Sequence, residues 1–259
     1  MSNDLFDLTG KNAVVTGAAM GLGRVFCEAM AEHGANVVAS DIDEQGLAET
    51  KRIVEALGVE CHTVRCDVSK EKDVANMVAE GRKAFGSIDI LFNNAGIADA
   101  EPAPVHAYKT ENWFQVINID LHGVFFCARE CLKVMVEQGA GKVINISSMW
   151  GLSGASSVFP IPAYNAAKGA VSNLTREMGL EYAPMGINVN AICPGFFTTR
   201  LAGGAYDNPD FVKAITEFTP ANRVADADEL KGAAIFLASK ASNYIFGHNL
   251  IIDGGCSAK

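Results

Sequence analysis

Between Asn12 and Asp41 the chain alternates strand, glycine turn, helix and strand, which leaves few folds open. Asn12-Ala13-Val14-Val15-Thr16 is an apolar run with strand character, and Gly17-Ala18-Ala19-Met20-Gly21-Leu22-Gly23 follows directly. A helical pattern runs from Arg24 to His33 with Val25, Ala29 and Met30 on one side. Gly34 is a stop signal, and a second strand, Asn36 to Ser40, ends in Asp41. Glycines in such a turn let the backbone approach a pyrophosphate, whose charge is favoured by the amides and dipole of the helix N-terminus. A carboxylate at the end of the second strand accepts hydrogen bonds from ribose hydroxyls. The spacing departs from the G-x-G-x-x-G fingerprint, so a turn that merely joins strand to helix is the competing reading.

The alternation continues along the chain. Strand-like runs end at Thr16, Asp41, Asp67, Asn94, Ser148, Pro194 and Asp253, with helical patterns in most of the gaps. Val143-Ile144-Asn145-Ile146 and Ile88-Asp89-Ile90-Leu91-Phe92 are nearly continuous apolar runs, the pattern of parallel strands covered on both faces. These features predict a doubly wound α/β sheet of about seven parallel strands with helices on both faces. A TIM barrel wants eight repeats and does not explain the glycine turn after the first strand. No proline- or serine-rich linker divides the 259 residues, so residues 1–259 are expected to form one domain, with 196–224 covering the substrate. Ligands of such sheets bind beyond the carboxyl ends of the strands.

One pair of residues at those ends carries chemistry. Tyr164 and Lys168 are four apart in Tyr164-Asn165-Ala166-Ala167-Lys168 and share a helix face. A phenol with an ordinary pKa of about 10 transfers protons poorly at neutral pH unless positive charge stabilises the phenolate. Lys168 supplies that charge, and Ser148, behind an apolar strand, offers a hydroxyl to steady a carbonyl oxygen. Taken alone, a Tyr-x-x-x-Lys pair is common on ordinary helices.

The whole set of motifs is not common. Thr16-Gly17-x-x-x-Gly21-x-Gly23, Asn93-Asn94-Ala95-Gly96, Asn118, Ser148, Tyr164-x-x-x-Lys168 and Pro194-Gly195 occur in the order and approximate spacing of the short-chain dehydrogenase/reductase family, whose classical branch the chain resembles from about Leu8 to Gly255. The resemblance implies a single Rossmann-type domain that passes a hydride between a nicotinamide cofactor and an alcohol or carbonyl carbon. It implies Asn118, Ser148, Tyr164 and Lys168 as catalytic residues, with Asn118 holding a water in a proton relay from Lys168. It implies cofactor contacts from Gly17, Met20, Gly21, Leu22 and Gly23, from Asp41, Asp67 and Val68, from Asn93, Ala95 and Gly96, from Tyr164 and Lys168, and from Pro194, Gly195, Phe197 and Thr199. Several have a plainer reading beside it. Asp67 also suits a helix cap near Ser69, Asn118 a buried amide bonded to its helix, and the phenylalanines after Gly195 simple core packing. NAD is expected over NADP, because Asp41 repels a 2′-phosphate and Met20 stands where NADP-using relatives often carry a basic residue.

The sixteen positions between Ser148 and Tyr164 exceed the spacing of many relatives, and the extra residues fall in Gly151 to Pro162 beside the substrate. With Ser148 and Tyr164, Trp150 and Phe159 are the expected substrate contacts, in a wall shared with Met149, Phe196 and Tyr206. Arg200 is the nearest anchor for an anion. This pattern predicts a small neutral cyclic or aromatic secondary alcohol or its ketone. The alternatives are a sugar-acid or polyol dehydrogenase or 3-oxoacyl reductase of the same family, and a non-catalytic NAD-sensing protein on the same fold.

Charge and cysteine usage narrow the partners. Asp plus Glu (30) exceed Lys plus Arg (21), giving a net charge of −9, which disfavours nucleic acid and anionic membrane as main partners. The N-terminus lacks signal-peptide order and no run is long enough to span a bilayer, which predicts a cytoplasmic location. The seven cysteines include no C-x-x-C and read as reduced, packed thiols, with no metal site expected. The family resemblance suggests a homotetramer built partly from the helix that carries Tyr164.

Overall fold

The computed structural model describes residues 5–199 and 204–259. In chain order its strands are β1 (Asn12–Thr16), β2 (Asn36–Asp41), β3 (Cys61–Arg65), β4 (Ile90–Asn93), β5 (Gly141–Ile146), β6 (Ile187–Pro194) and β7 (Asn249–Ile252). They form one parallel sheet in the order β3-β2-β1-β4-β5-β6-β7. The order reverses between β1 and β4, where a doubly wound sheet opens its ligand crevice. The connecting helices are α1 (Gly21–Glu32), α2 (Glu44–Ala56), α3 (Glu71–Phe85), α4 (Thr110–Ile117), α5 (Gly123–Gln138), α6 (Pro162–Tyr182), α7 (Pro209–Phe218) and α8 (Lys231–Ala238).

Each central strand feeds two cores because successive side chains point to opposite faces. Val15, Ala39, Phe92 and Ile146 pack with Phe26 and Met30 of α1 and Ala234 and Ile235 of α8. Val14, Val38, Leu91 and Val143 pack on the other face with Val74 and Met77 of α3 and Cys131 and Met135 of α5. β1, β4 and β6 are buried throughout, the Asn188 and Asn190 amides of β6 being satisfied by the Ile245 carbonyl at 3.0 and 2.8 Å, while the edge strands β3 and β7 are partly open. All seven cysteines are free thiols and buried. No helix among the described residues is long and apolar enough to cross a membrane.

Strand boundaries differ from the sequence reading by a residue or two. β3 stops at Arg65, so Asp67 and Val68 lie in the following turn; β5 stops at Ile146, so Ser147 and Ser148 lie just past its end. α1 starts at Gly21 rather than Arg24, with Met20 as its N-cap. Gly21 and Gly23 therefore belong to the first turn of the helix, while Gly17 stays in the loop before it.

Candidate active site

The turn after β1 is shaped by close backbone contacts. Gly17 has φ +66°, and a Cβ there would meet the Ala95 Cα at 2.9 Å; a Cβ on Gly23 would fall 2.0 Å from the Gly17 carbonyl oxygen. Only glycine fits this packing, which brings the α1 N-terminus against the end of β1. Asn94 closes the crevice floor. Its amide donates to the carbonyls of Thr16 at 2.9 Å and Gly17 at 3.2 Å, while the Thr16 hydroxyl accepts from the N–H groups of Asn94 and Ala95, both at 3.1 Å. Asp41 is held by three backbone donors: Ala19 at 3.0 Å, Ile42 at 2.7 Å and Asp43 at 3.1 Å. Met20 provides no side-chain cap to α1, so the first N–H groups of that helix are free for an anionic ligand.

The remaining cofactor candidates also gather at the carboxyl ends of the strands. Asp67 spends Oδ1 on the N–H and hydroxyl of Ser69, the turn-capping role its sequence context also allowed. Val68 is buried against Gly123, which leaves its backbone for any ligand. The Asn93 amide donates to Asn145 at 2.9 Å inside the core, so its side chain ties β4 to β5. Phe197 packs into the core beside α1, while Pro194 ends β6, Gly195 lies against Asp253, and a Cβ on Gly21 would fall 3.8 Å from that of Thr199. These features suit a dinucleotide: a glycine cradle that any Cβ would fill, a helix start without a cap, and a carboxylate at the end of β2.

The reactive pair is deeper. Lys168 is 4% exposed, its Nζ donates to the Ile146 carbonyl at 3.0 Å, and it lies 5.4 Å from the Tyr164 ring centre. The Ser147 hydroxyl lies 2.9 Å from the Lys168 carbonyl oxygen and 2.7 Å from the Ser172 hydroxyl, which fixes α6 against the end of β5. Ser148 is extended and buried, accepts from the Trp150 N–H at 3.1 Å, and turns its hydroxyl toward the Tyr164 phenol.

Asn118 is not where its expected role requires. It is exposed, and its Oδ1 lies 3.1 Å from Nδ1 of His122. Asp120 stands beside Lys168 instead. It is fully buried, with Oδ2 3.2 Å from Nζ of Lys168 and Oδ1 accepting from the Ile97 N–H at 2.8 Å. The helical period explains the swap: Val116, Asp120 and Val124 repeat every four residues on the buried face, and Asn118 lies about 200° around from Asp120. A single π-helical turn spans Asn118–His122 between α4 and α5, a distortion often found at functional sites. The signal was present in the sequence, since a carboxylate among Val116, Ile117 and Ile119 is almost never fully buried unless paired.

Charge balances closely around the phenol. Burial pushes Tyr164 above the ordinary range; Lys168 and the Ser148 hydroxyl pull it back, while Asp120 and Asp99 push further up. Burial disfavours the Lys168 ammonium, yet Asp120 and Tyr164 outweigh it and hold the lysine protonated. Asp99 is 6% exposed; Oδ2 accepts from the Tyr164 N–H at 3.2 Å, and Oδ1 has no partner. Burial raises its carboxyl as well.

Around this centre lies an aromatic cluster. Trp150, only 6% exposed, packs against Phe159, Phe196 and Phe218 with ring centres 6.3, 6.2 and 5.7 Å apart. Tyr206 stacks edge-on to Phe211, and burial together with Tyr164 pushes its hydroxyl up to about 12. Trp150 is thus first a core side chain beneath the covering segment. Arg200, the expected anion anchor, lies outside the described residues.

Comparison with known proteins gives concordant results. A family model described as Enoyl-(Acyl carrier protein) reductase matches residues 17–257. The chain is 34% identical over 252 residues to gluconate 5-dehydrogenase of Gluconobacter oxydans, covering 97% of this chain and 96% of that protein. It is 40% identical over 247 residues to cis-4-hydroxycyclohexanecarboxylate dehydrogenase of Sinomonas cyclohexanicum, with 95% and 96% covered. The crystal structure of a gluconate 5-dehydrogenase from Burkholderia cenocepacia, in complex with NADP and tartrate, superimposes with a TM-score of 0.92 at 36% identity, covering 99% of this chain and 98% of that one.

Proposed function

Because this chain belongs to the short-chain dehydrogenase/reductase family and acts on CH–OH groups with a nicotinamide cofactor, we propose that it interconverts a secondary alcohol and its ketone on a small hydroxy carboxylic acid, with NAD as the preferred cofactor. One observation supports the chemistry most strongly: Ser148, Tyr164 and Lys168 converge at the ends of β5 and α6, with the ammonium 5.4 Å from the tyrosine ring. In oxidation the Tyr164 phenolate takes the hydroxyl proton while the carbinol C–H bond breaks, giving ketone, reduced cofactor and one proton. In reduction the Tyr164 phenol returns that proton to the oxygen. Ser148 orients the oxygen and stabilises charge developing on it. Lys168 keeps a positive charge beside the phenol. The cofactor, held by the turn at Gly17 to Gly23, by Asp41 and by the segment after Pro194, supplies the hydride chemistry.

NAD is favoured by the neighbourhood of Asp41. Arg24, the basic side chain nearest the turn, is engaged by the carbonyls of Ala19 and Gly46 and by Thr50, and Met20 and Ile42 are the exposed neighbours. A 2′-phosphate would meet the Asp41 carboxylate without a compensating cation. The NADP held by the Burkholderia relative makes this preference the first point to measure.

The relatives named above all act on hydroxy carboxylates, two of them gluconate dehydrogenases. They favour a sugar acid or cyclic hydroxy acid over the neutral aromatic alcohol that the aromatic wall alone suggested. A neutral cyclic alcohol remains the second reading for one reason: the charges acting on Tyr164 besides Lys168 are the carboxylates of Asp120 and Asp99. Turnover followed by nicotinamide absorbance on gluconate, 4-hydroxycyclohexanecarboxylate and the corresponding neutral alcohols separates the two. Preference for the acids, lost in Arg200→Ala, supports the first; preference for the neutral compounds supports the second. No turnover with any alcohol or ketone defeats both.

Assembly belongs to the same proposal. Phe114 on α4, Phe125 and Val136 on α5 and Leu180 on α6 are exposed apolar side chains, which suits a homotetramer built partly on α6.

A further inference from the structure

Among the described residues, Asp120 is the one fully buried carboxylate near the reactive pair, and Lys168 is its ion-pair partner at 3.2 Å. Its geometry is over-determined. Oδ1 is tied to the Ile97 N–H at 2.8 Å, and Oδ2 lies where a Cβ on Gly96 would approach to 2.9 Å. The same Cβ would come within 3.3 Å of Nζ of Lys168, so only glycine at 96 leaves room for the pair. On the far side the ammonium is held by the Ile146 carbonyl at 3.0 Å. Burying an ion pair costs several kcal/mol per charge unless the geometry is good and the remaining lone pairs are satisfied. A neutral amide in this place would avoid that cost, so the charge is the feature to explain.

Resting on the acid–base role given to Tyr164 above, we propose that Asp120 is a positioning residue: it clamps Lys168 through a buried ion pair and sets the pH range in which Tyr164 exchanges its proton with the substrate oxygen. Burial pushes the Asp120 carboxyl up, and the Lys168 ammonium 3.2 Å away together with the Ile97 N–H pulls it back toward the charged form. The groups acting on Tyr164 from the surrounding elements are Lys168 on α6, Asp120 in the π-turn and Asp99 after β4, with Tyr206 from the covering segment; Cys193 of β6 also acts on Lys168. Both carboxylates favour the protonated phenol. At neutral pH the site is therefore poised to donate a proton to a ketone, and it removes one from an alcohol efficiently only once the positive charge of the oxidised cofactor is added or the pH is raised.

The test is the pH profile of kcat/KM in both directions for the wild type and Asp120→Asn, which preserves shape and removes the charge. The wild type should show alcohol oxidation rising into the alkaline range and ketone reduction flat through neutral pH. In Asp120→Asn both limbs should move to lower pH by roughly one unit, the lower end of the effect of a charge within a few ångströms. NADH binding, read by fluorescence, should persist and certify the fold; if the asparagine variant does not fold, Asp120→Ser gives the same readout. An unchanged profile, or limbs that move to higher pH because Lys168 has lost its proton, overturns the proposal. Neither result touches the role of Tyr164, which is judged by loss of turnover on removal of its hydroxyl.

Discussion

Gly96→Ala tests the buried pair from the outside, without altering any charged or catalytic group. Gly96 has no positive φ, so alanine is compatible with its backbone, and the unfolded chain loses entropy worth about 0.4–1 kcal/mol in favour of folding. Against that, the new Cβ would lie 2.9 Å from Oδ2 of Asp120, where ordinary contact begins near 3.4 Å, so the carboxylate must retreat by half an ångström. It has no slack: Oδ1 is bonded to Ile97 at 2.8 Å and Oδ2 is paired to Lys168 at 3.2 Å. Overpacking of this kind costs about 1–3 kcal/mol, leaving a net loss near 1.5 kcal/mol and a fall in Tm of roughly 3–6 °C for a chain of this size. Displacing Lys168 should also lower kcat about tenfold or more, since small misplacements of reacting groups cost up to ~10²-fold. Differential scanning calorimetry without cofactor isolates the packing effect from any contact with the nicotinamide ribose. Gly154→Ala, where an added Cβ meets nothing within 4 Å, is the control. If Gly96→Ala matches that control in both Tm and kcat, the crowding around the ion pair has been misread.

Other outcomes follow from the same structure. The wild type should show a kcat/KM for NAD at least about 10²-fold above that for NADP, in line with the several kcal/mol that a like-charge juxtaposition costs. Asp41→Asn should narrow the gap while weakening NAD, because it also loosens the Ala19 N–H contact; equal wild-type efficiency with NADP refutes the assignment. Trp150→Ala should destabilise the fold by about 3–5 kcal/mol, as its ring is buried among three phenylalanines. A Tm close to that of the wild type would show that Trp150 faces open space instead. Thiol reagent should label the native protein slowly and all seven cysteines after unfolding; rapid native labelling would contradict their burial.

The fold was legible because it repeats one instruction. Apolar runs such as that ending in Ile90–Asn93, buried at every position, read as strands covered on both faces, and Gly17 with Gly23 announces the tight start of α1. Tyr164 and Lys168 were legible for the same local reason, since a separation of four places them on one helix face. Asp120 was not read from the sequence because its partner is forty-eight positions away, and the family resemblance points to the nearby Asn118. Helical phase alone would have chosen between them, because Asn118 shares the solvent side with His122 while Asp120 follows Val116. The packing of Trp150 was not legible for a different reason. Its aromatic neighbours Phe196 and Phe218 come from distant segments, so whether the ring lines a pocket or fills a core depends on packing that local pattern does not carry.

The central claim is that Tyr164 moves the proton between substrate and solvent while the rest of the site binds and orients. Tyr164→Phe removes one hydroxyl and barely changes the shape of the pocket. Turnover measured by nicotinamide absorbance, beside cofactor affinity measured by NADH fluorescence on the same preparation, addresses the claim directly. Activity should fall by about 10²–10⁴, the usual worth of positioned acid–base catalysis, with NADH affinity within a few-fold of wild type. Retention of more than about a tenth of wild-type turnover, far above the residue expected once such catalysis is lost, would show that the proton travels by another route.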